Sequence, residues 1–273
     1  PVQGQLALKA VMAEMERINQ LMSPYIETSE LSLINASAGK QAMVISDEML
    51  ELLDKSIKIS DLTKGAFDIT FASVGYLYNY KENKRPDEAT IASLLEAVNY
   101  KHIVLNKEDK TVAFSNEKVK IDLGGIAKGH AVDNSISLLE RMGILHGLVT
   151  AGGDTRLIGD RRGKPWIVGI RDPRNKEKQA VVMPLQNSAM STSGDYERYF
   201  EEDGKRYHHI LSPKTGKSTY DVQSVSIIGP SSTFNDALST AVFVMGMINR
   251  IDGYDAVVMD NQRKMHYSNG LQQ

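Results

Sequence analysis

Hydrophobic residues recur at helical spacing in the first third of the chain. Over residues 5–22 they return every three or four positions while most charged residues face away, which predicts an amphipathic helix. Ser23 and Pro24 end this helix, because the residue before a proline avoids helical geometry. The same spacing predicts helices over 47–62 and about 87–98, and the stretch after Pro24 is predicted to be a loop.

Over the rest of the chain the spacing mostly becomes the alternation of β-strands. Residues 102–105 and 111–114 flank a polar turn and predict a hairpin, whereas 127–142 and 232–247 return to helical spacing. The other predicted strands are 118–122, 147–151, 155–159, 165–171, 179–185, 189–192, 206–211, 222–229, 255–260 and 264–268. Because helices and strands mix without a regular βαβ alternation, we predict the α+β class, with mixed or antiparallel sheets and packed helices in one compact domain over 1–273.

Composition and charge narrow the classes of function. The 273 residues are 41% hydrophobic and 24% charged, a balance typical of a globular fold. The net charge of −2 offers no basic excess for a phosphate backbone, so we predict no nucleic-acid partner. Cysteine is absent, which excludes disulfides, thiolate metal sites and Cys nucleophiles. No apolar run reaches the roughly 18 residues of a membrane span. Because the chain begins with Pro1, we expect a processed form whose precursor carried any signal or anchor.

A glycine pair between a predicted strand and a predicted helix is the first candidate site. Asp122 ends the strand, Gly124 and Gly125 follow, and Lys128 lies in the first turn of the helix. Glycines let the backbone approach a ligand closely, and N–H groups at a helix start attract phosphate. A lysine there is unfavourable for the helix dipole unless it meets an anion. The spacing fits neither the dinucleotide fingerprint nor a Walker loop, so an ordinary tight turn is the alternative.

The second candidate lies at the start of the helix predicted over 232–247. Asp236 and Thr240 are four residues apart and share one face of the helix, with Ser239 beside them. Carboxylate and hydroxyl oxygens suit a hard cation such as Mg²⁺, which also binds substrate phosphates. In the alternative interpretation, Asp236 only complements the helix N-terminus and Thr240 only packs.

Histidine, tyrosine and two further aspartates complete the candidates. His208 and His209 are adjacent on a predicted strand, so at most one of them faces a given site. Histidine is the natural proton shuttle in a chain without cysteine, although a lone histidine is more often structural, and the spacing fits no catalytic zinc motif. Tyr25 either stacks on a planar ring or covers a core edge. Asp68 and Asp154 either bind a ribose or ring edge or form turns.

Taken together, these segments resemble the ApbE family of FAD:protein FMN transferases. The resemblance covers nearly the whole chain, and each motif is weak alone but specific in this order and spacing. The motifs are Met22-Ser-Pro-Tyr25, Ser29-Glu-Leu-Ser-Leu-Ile-Asn35, Gly65-Ala-Phe-Asp68, Ile121-Asp-Leu-Gly-Gly-Ile-Ala-Lys-Gly129, Ala151-Gly-Gly-Asp154, Ser191-Thr-Ser-Gly-Asp-Tyr196, His208-His-Ile210 with Pro213-Lys-Thr-Gly216, and Asp236-Ala-Leu-Ser-Thr240.

The resemblance implies a periplasmic or cell-surface enzyme, lipid-anchored in its precursor, with an ApbE-like (T-fold-like) fold. It would bind FAD and Mg²⁺ and transfer FMN to a Ser or Thr hydroxyl of an acceptor protein, for example a membrane redox-pump subunit, releasing AMP. The implied Mg²⁺ ligands are Asp236, Ser239, Thr240 and the Gly125 carbonyl. The implied FAD contacts are Tyr25, Ala66, Phe67, Asp68, Asp122, Lys128, His209 and Ile210. The implied catalytic residues are His209, as base for the acceptor hydroxyl, and Asp236.

Two other functions stay open at this point. One is an FAD pyrophosphatase, in which water replaces the acceptor hydroxyl and the products are FMN and AMP. The other is an FAD-binding protein without turnover. The chain also departs from the family pattern: the usual upstream strand with a Met-Gly-Thr signature is absent, so we expect part of the flavin pocket to be missing. Ile69 and Ser212 replace the family's usual proline and aspartate.

Overall fold

The computed structural model describes residues 2–247 and 251–271, and within them the fold is α+β, as predicted. The α-helices are α1 (Val2–Met22), α2 (Glu30–Ser37), α3 (Asp47–Leu62), α4 (Ala72–Gly75), α5 (Glu88–Leu94), α6 (Ala127–Arg141) and α7 (Ser232–Met245). The strands are β1 (Met43–Val44), β2 (Ile103–Asn106), β3 (Thr111–Phe114), β4 (Gly147–Ala151), β5 (Asp154–Ile158), β6 (Trp166–Asp172), β7 (Asn175–Leu185), β8 (Ala189–Gly194), β9 (Tyr199–Glu202), β10 (Lys205–His208), β11 (Leu211–Ser212), β12 (Lys217–Ser218), β13 (Val222–Gly229), β14 (Asp255–Asp260) and β15 (Met265–Tyr267). Within these ranges no helix has both the length and the hydropathy to cross a membrane.

The described residues divide into two compact units, each assembled from segments that are distant in sequence. The first unit draws on the described residues of 1–19, 125–196 and 220–273, and the second on 20–124 and 197–219. The single domain predicted over 1–273 stays a prediction.

The first unit is built on a six-stranded antiparallel sheet in the order β15-β14-β13-β8-β5-β4. All eight residues of β13 are buried, because elements cover both faces of the sheet. On one face, Val132 and Ile136 of α6 pack in a cluster with residues of β4 and β5. On the other face, Ile170 of the β6–β7 hairpin packs against Met190 and Ile228. Helix α7 packs against α6 and against strands β8 and β13.

The second unit combines a three-stranded sheet, in the order β1-β3-β2, with the hairpins β9–β10 and β11–β12. One of its buried clusters joins Val74, Tyr78, Ile91 and Leu211. Gly216, in the turn after β11, has a φ of +66°, and a Cβ atom there would lie 2.9 Å from the Ile91 side chain. Glycine is therefore needed at this turn both for its backbone conformation and for its close packing.

Several predicted elements have the bounds that the structure shows, namely α3, β3, β4, β13 and β14. Helix α7 ends at Met245, two residues before its predicted end. Gly246 ends it by adopting a left-handed φ of 68° while its N–H caps the Val242 carbonyl. The ends of the remaining predicted elements differ from the observed ones by up to four residues. Two interpretations were wrong, and two helices, α2 and α4, and three short strands, β1, β9 and β12, were not predicted.

The strand predicted over 118–122 is absent. No neighbouring strand in the described part of the chain accepts its backbone N–H groups. Instead, Ser73 Oγ accepts that of Lys120 at 3.0 Å, Asn35 Oδ1 that of Ile121 at 2.8 Å, and the carbonyl of Ile69, in a 3-10 helix, that of Asp122 at 3.0 Å. The alternation of apolar residues is real, since Val119 and Ile121 are buried. Periodicity alone cannot distinguish such an extended buried segment from a strand.

The predicted strand 206–211 and the predicted loop after Pro24 also need correction. The strand is divided, because β10 pairs with β9 whereas β11 pairs with β12. The loop contains α2, whose N-cap Ser29 accepts the Ser32 N–H at 3.0 Å. Eight residues are too few for helical periodicity to stand out, so the capping serine was the available signal.

Candidate active site

Helices α6 and α7 of the first unit approach each other at Gly129. A Cβ atom at this position would lie 2.2 Å from the Ser232 carbonyl oxygen and 2.9 Å from Asp236 Cβ, so only glycine allows this spacing. The Gly129 N–H donates a hydrogen bond to Asp236 Oδ2 at 3.1 Å. The start of α6 therefore lies against the first two turns of α7, which carry Asp236, one of the predicted metal ligands.

Lys128 lies between two buried carboxylates. Its Nζ is 3.0 and 3.1 Å from the two carboxylate oxygens of Asp236 and 3.3 Å from Oδ2 of Asp154. Asp154 and Asp236 are only 2% and 4% exposed. These two aspartates are the anions that a lysine in a first helical turn requires. Asp154 joins the cluster from β5, which decides against the interpretation that it merely forms a turn.

Charge in this cluster is unbalanced, since two carboxylates face one ammonium group. Burial acts to lower the pKa of Lys128, but attraction to Asp236 and then to Asp154 raises it above its ordinary value, so the ammonium stays charged. Burial, reinforced by the negative charge of Asp236, raises the pKa of Asp154 to about 7. Apart from its ion pair with Lys128, Asp154 Oδ2 has no hydrogen-bond partner among the described residues. The cluster thus offers a buried oxygen and a negative charge to a further cation.

Hydroxyl groups surround the same turn of α7. Those of Ser239 and Thr240 donate to the Asp236 carbonyl at 2.8 and 3.4 Å. On β8, Ser193 Oγ lies 2.7 Å from Ser239 Oγ and 3.3 Å from Thr240 Oγ1. The sequence prediction gives Ser193 no role, although Ser193 lies in the hydroxyl-rich motif 191–196 that is quoted for the family resemblance.

These donors fit a hard cation such as Mg²⁺. Mg²⁺ is usually held by one or two carboxylates, with waters and substrate phosphates completing its octahedral shell. Among residues 2–247 and 251–271, no three His, Cys, Asp or Glu side chains form a group that could hold a metal ion. A site here would therefore take ligands from hydroxyl and carbonyl oxygens and from a substrate. The assignment of Gly125, Asp236, Ser239 and Thr240 to Mg²⁺ stays a prediction.

In the second unit, Tyr25 and His209 both contact Arg198. Arg198 Nη1 donates to the Tyr25 hydroxyl at 3.5 Å. The Arg198 carbonyl accepts the backbone N–H of His209 at 3.1 Å and lies 3.3 Å from its ring Nδ1. Tyr25 is 82% exposed, so its ring is accessible to a planar ligand. Arg198 thus links the predicted flavin-stacking residue with the predicted base.

The two adjacent histidines differ in environment. His208 is buried, with ring Nε2 2.5 Å from the Thr219 carbonyl, and its Nδ1 accepts the Ile210 N–H at 3.3 Å. His209 is partly exposed. Both ring nitrogens of His208 serve local hydrogen bonds within the second unit. The role of His209 as the base stays a prediction.

Asp122 lies in the loop that leads to the glycine pair, where its Oδ1 accepts the Gly124 N–H at 2.7 Å. Asn35 holds the preceding residue from both sides: Nδ2 donates to the Ile121 carbonyl and Oδ1 accepts the Ile121 N–H, each at 2.8 Å. The Tyr76 hydroxyl donates to the same carbonyl at 2.8 Å. Burial, and then the charge of Asp122, raises the pKa of Tyr76, so this hydroxyl keeps its proton. Sequence reasoning quoted Asn35 in a motif but gave it no role.

Asp68 uses both carboxylate oxygens inside the second unit. Oδ1 accepts the Thr70 N–H at 2.8 Å and its hydroxyl at 2.6 Å, and Oδ2 accepts the Tyr100 N–H at 2.8 Å. Burial nevertheless raises the pKa of Asp68. Asp68 therefore shapes the backbone of its own segment, and the contact of residues 66–68 and Ile210 with FAD stays a prediction.

The predicted site residues fall into separate groups within the two units. In the first unit, one group contains Lys128, Asp236, Ser239 and Thr240. In the second unit, Tyr25 and His209 share Arg198, whereas Asp68 and Asp122 each make their own local contacts.

Comparisons of the sequence and of the structure with known proteins agree on one family. The model of the ApbE family matches residues 2–256. The FAD:protein FMN transferase of Haemophilus influenzae is 36% identical over 250 residues, which cover 86% of this chain and 71% of that protein. The enzyme of the same description from Treponema pallidum is 31% identical, covering 97% of this chain and 80% of the relative. The solved structure of the ApbE protein of Thermotoga maritima superimposes with a TM-score of 0.91 at 34% identity, covering 98% of this chain and 90% of that one.

Proposed function

This chain belongs to the ApbE family, and from that premise we propose that it transfers FMN from FAD to a Ser or Thr hydroxyl of an acceptor protein, releasing AMP. The observation that carries the proposal is the buried cluster of Lys128, Asp154 and Asp236 beside the hydroxyls of α7. Phosphoryl transfer depends mainly on positioning and on charge stabilisation, and this cluster offers groups for both.

We further propose that the enzyme uses Mg²⁺. Asp236, Ser239, Thr240 and the Gly125 carbonyl would hold the ion, and the excess negative charge at Asp154 and Asp236 favours a second cation beside Lys128. When bound, the ion would neutralise charge on the diphosphate oxygens. Lys128 would then bind a phosphate oxygen, since its ammonium is held charged at the start of α6.

We propose roles toward the flavin, the phosphates and the proton for Tyr25, Asp122 and His209. Tyr25 would stack on the isoalloxazine ring, and Asp122 would orient the phosphates through the loop that it closes. His209 would take the proton from the acceptor hydroxyl while the oxygen of that hydroxyl forms a bond to the FMN phosphorus. The diphosphate bond then breaks, and its bonding electrons leave with AMP. Because its Nδ1 lies beside the Arg198 carbonyl, His209 has its ring oriented by the backbone.

Mass spectrometry of an acceptor protein tests the proposal. After incubation with enzyme, FAD and Mg²⁺, the acceptor should gain the mass of an FMN phosphoester on Ser or Thr. The matched variants are His209→Ala and His146→Ala, the latter removing a histidine that is paired with Asp160 away from the cluster. Only His209→Ala should slow labelling. FMN released without an acceptor would instead indicate a pyrophosphatase, and FAD bound without any product would indicate a binding protein.

We also propose, from the family resemblance, that the acceptors include subunits of membrane redox pumps and that the enzyme works in the periplasm or at the cell surface with a lipid anchor. Fractionation of cells that express the full-length gene product, with labelling by a radioactive fatty acid, tests the location. Recovery in the cytosol without the label would contradict it.

A further inference from the structure

Asp133, on α6, accepts hydrogen bonds from three consecutive residues that begin α7. Its Oδ1 accepts the Ser232 N–H at 3.0 Å. Its Oδ2 accepts the Thr233 N–H at 2.9 Å and the hydroxyls of Thr233 and Ser231 at 2.7 and 2.8 Å. Arg156 on β5 donates from Nη1 to Oδ1 at 2.6 Å. None of the roles assigned above uses this carboxylate.

The geometry gives α7 two kinds of N-terminal cap. Ser231 caps it locally, because its Oγ accepts the Phe234 N–H at 3.4 Å. Asp133 caps it from another helix with a charged group, which complements both the orphan N–H groups and the positive end of the helix dipole. A cap from a different helix does more than stabilise α7, since it also ties the position of α7 to that of α6.

A second contact lies one turn away on each helix. Gly129 precedes Asp133 by four residues on α6, and its N–H binds the carboxylate of Asp236, which follows Thr233 by three residues on α7. Together the two contacts fix both the rotation and the axial register of α7 against α6. That register decides whether Asp236, Ser239 and Thr240 lie beside the start of α6.

We propose that Asp133 is a positioning residue that sets the divalent-cation affinity of the cluster on α7. This inference rests on the proposed function, because it concerns the cation that the transferase would use. Groups that orient metal ligands without touching the metal typically change metal affinity 10- to 100-fold when they are removed.

Asp133→Asn is the test variant, because asparagine keeps the shape but can accept with one oxygen only and places an NH₂ group against N–H donors. Asp172→Asn is the matched control. Asp172 also accepts two backbone N–H groups, from Arg174 and Asn175, and pairs with Arg263 Nη2 at 2.7 Å, but it does so in the β6–β7 hairpin. Both changes should lower the melting temperature, so loss of stability alone does not distinguish them.

The measurement is the Mg²⁺ dependence of two signals, FMN transfer to an acceptor and the thermal shift produced by Mg²⁺ in the presence of FAD. For Asp133→Asn we expect the half-saturating Mg²⁺ concentration to rise about tenfold in both, with kcat at saturating Mg²⁺ and the KM for FAD within about twofold of wild type. Asp172→Asn should keep the wild-type Mg²⁺ requirement. Hydrogen exchange at the Ser232 and Thr233 amides should accelerate in Asp133→Asn alone.

An unchanged Mg²⁺ requirement in Asp133→Asn, or an equal rise in Asp172→Asn, would overturn the inference. If Asp133→Asn does not fold, Thr233→Val removes one hydroxyl donor to Asp133 with little change in volume. It should raise the half-saturating concentration about two- to threefold, and no rise would count against the inference. Failure of the wild-type enzyme to transfer FMN would instead reject the proposed function, so the two failures remain distinct.

Discussion

The first and second units hold their candidate residues in different ways. In the first unit, Asp236 is almost fully buried, and its carboxylate is bound by a lysine from α6 and by a backbone N–H of the same helix. In the second unit, Tyr25 is largely exposed, and a single 3.5 Å contact with Arg198 is the one hydrogen bond described for its hydroxyl. The Arg198 carbonyl accepts the backbone N–H of His209 and lies beside its ring.

This difference in burial predicts which substitutions change the stability of the fold and which change only the activity. Groups that are buried and charged keep their positions without a ligand, but removing one leaves its partner desolvated and unpaired. Exposed groups on loops can be removed with little effect on folding, since surface substitutions usually change stability by less than about 0.5 kcal/mol. We therefore expect substitutions in the first unit to change both stability and activity, and substitutions at Tyr25 or His209 to change activity alone.

The largest effect is expected from Asp236→Asn. The change removes a negative charge that binds Lys128 and would bind Mg²⁺, so FMN transfer should fall by about 10³-fold, in the range seen when one charge-stabilising group is lost. Transfer to an acceptor at saturating Mg²⁺ measures this. Asp54→Asn is the control, because Asp54 pairs with Lys58 and Lys107 elsewhere. Transfer within tenfold of wild type would remove Asp236 from the active site.

His209→Ala should lower transfer by about 10²-fold, the lower end of the range for a general base, because phosphoryl transfer passes through a loose transition state. The free energy of unfolding should stay within about 0.5 kcal/mol of wild type, in contrast to Asp236→Asn. Single-turnover labelling and urea unfolding measure the two quantities. A large loss of stability would contradict the contrast between the units, and unchanged labelling would contradict the role of the histidine.

The same contrast explains what could be predicted from the sequence. Asp236 and Thr240 were predicted as metal ligands because a spacing of four residues places both of them on one face of a helix. Asp154, which pairs with Lys128, lies on β5, and Ser193, whose hydroxyl lies beside that of Thr240, is on β8. No spacing in the sequence indicates that these two strands meet α6 and α7. Asp133 was missed for the same reason, since its role exists only where α6 meets the start of α7.

The prediction of secondary structure from the sequence was limited in a related way. Long periodic elements such as α3 were predicted with their bounds, because their residues bury one face whatever surrounds them. The strand predicted over 118–122 was wrong because its N–H groups bind partners such as Asn35 and Ser73, which lie far away in sequence. A hydrophobic pattern indicates which residues are buried, but it does not indicate which groups bind the backbone N–H and C=O groups.

Asp154→Asn should change how stability depends on pH. The folded-state pKa of Asp154 is raised to about 7, above its unfolded value, so the folded state binds the extra proton and the wild-type free energy of unfolding falls as pH rises from about 4 to 7. Asparagine cannot ionise, so this decline should largely disappear. Urea unfolding at several pH values, without Mg²⁺, measures it. A variant whose pH dependence equals that of wild type would show that Asp154 is ionised normally in the folded protein.

Tyr25→Ala should have the smallest effect and is the sharpest test of the second unit. Loss of a stacking ring worth about 1 kcal/mol should raise the KM for FAD about fivefold while kcat and the melting temperature change little, because Tyr25 is 82% exposed and supports no core. Tyr25→Phe keeps the ring but removes the hydroxyl that accepts from Arg198, and it should behave like wild type. If Tyr25→Phe instead matched Tyr25→Ala, the contact with Arg198 rather than the ring would be what FAD binding requires, and the exposed residues of this unit would be as dependent on their neighbours as the buried cluster of the first.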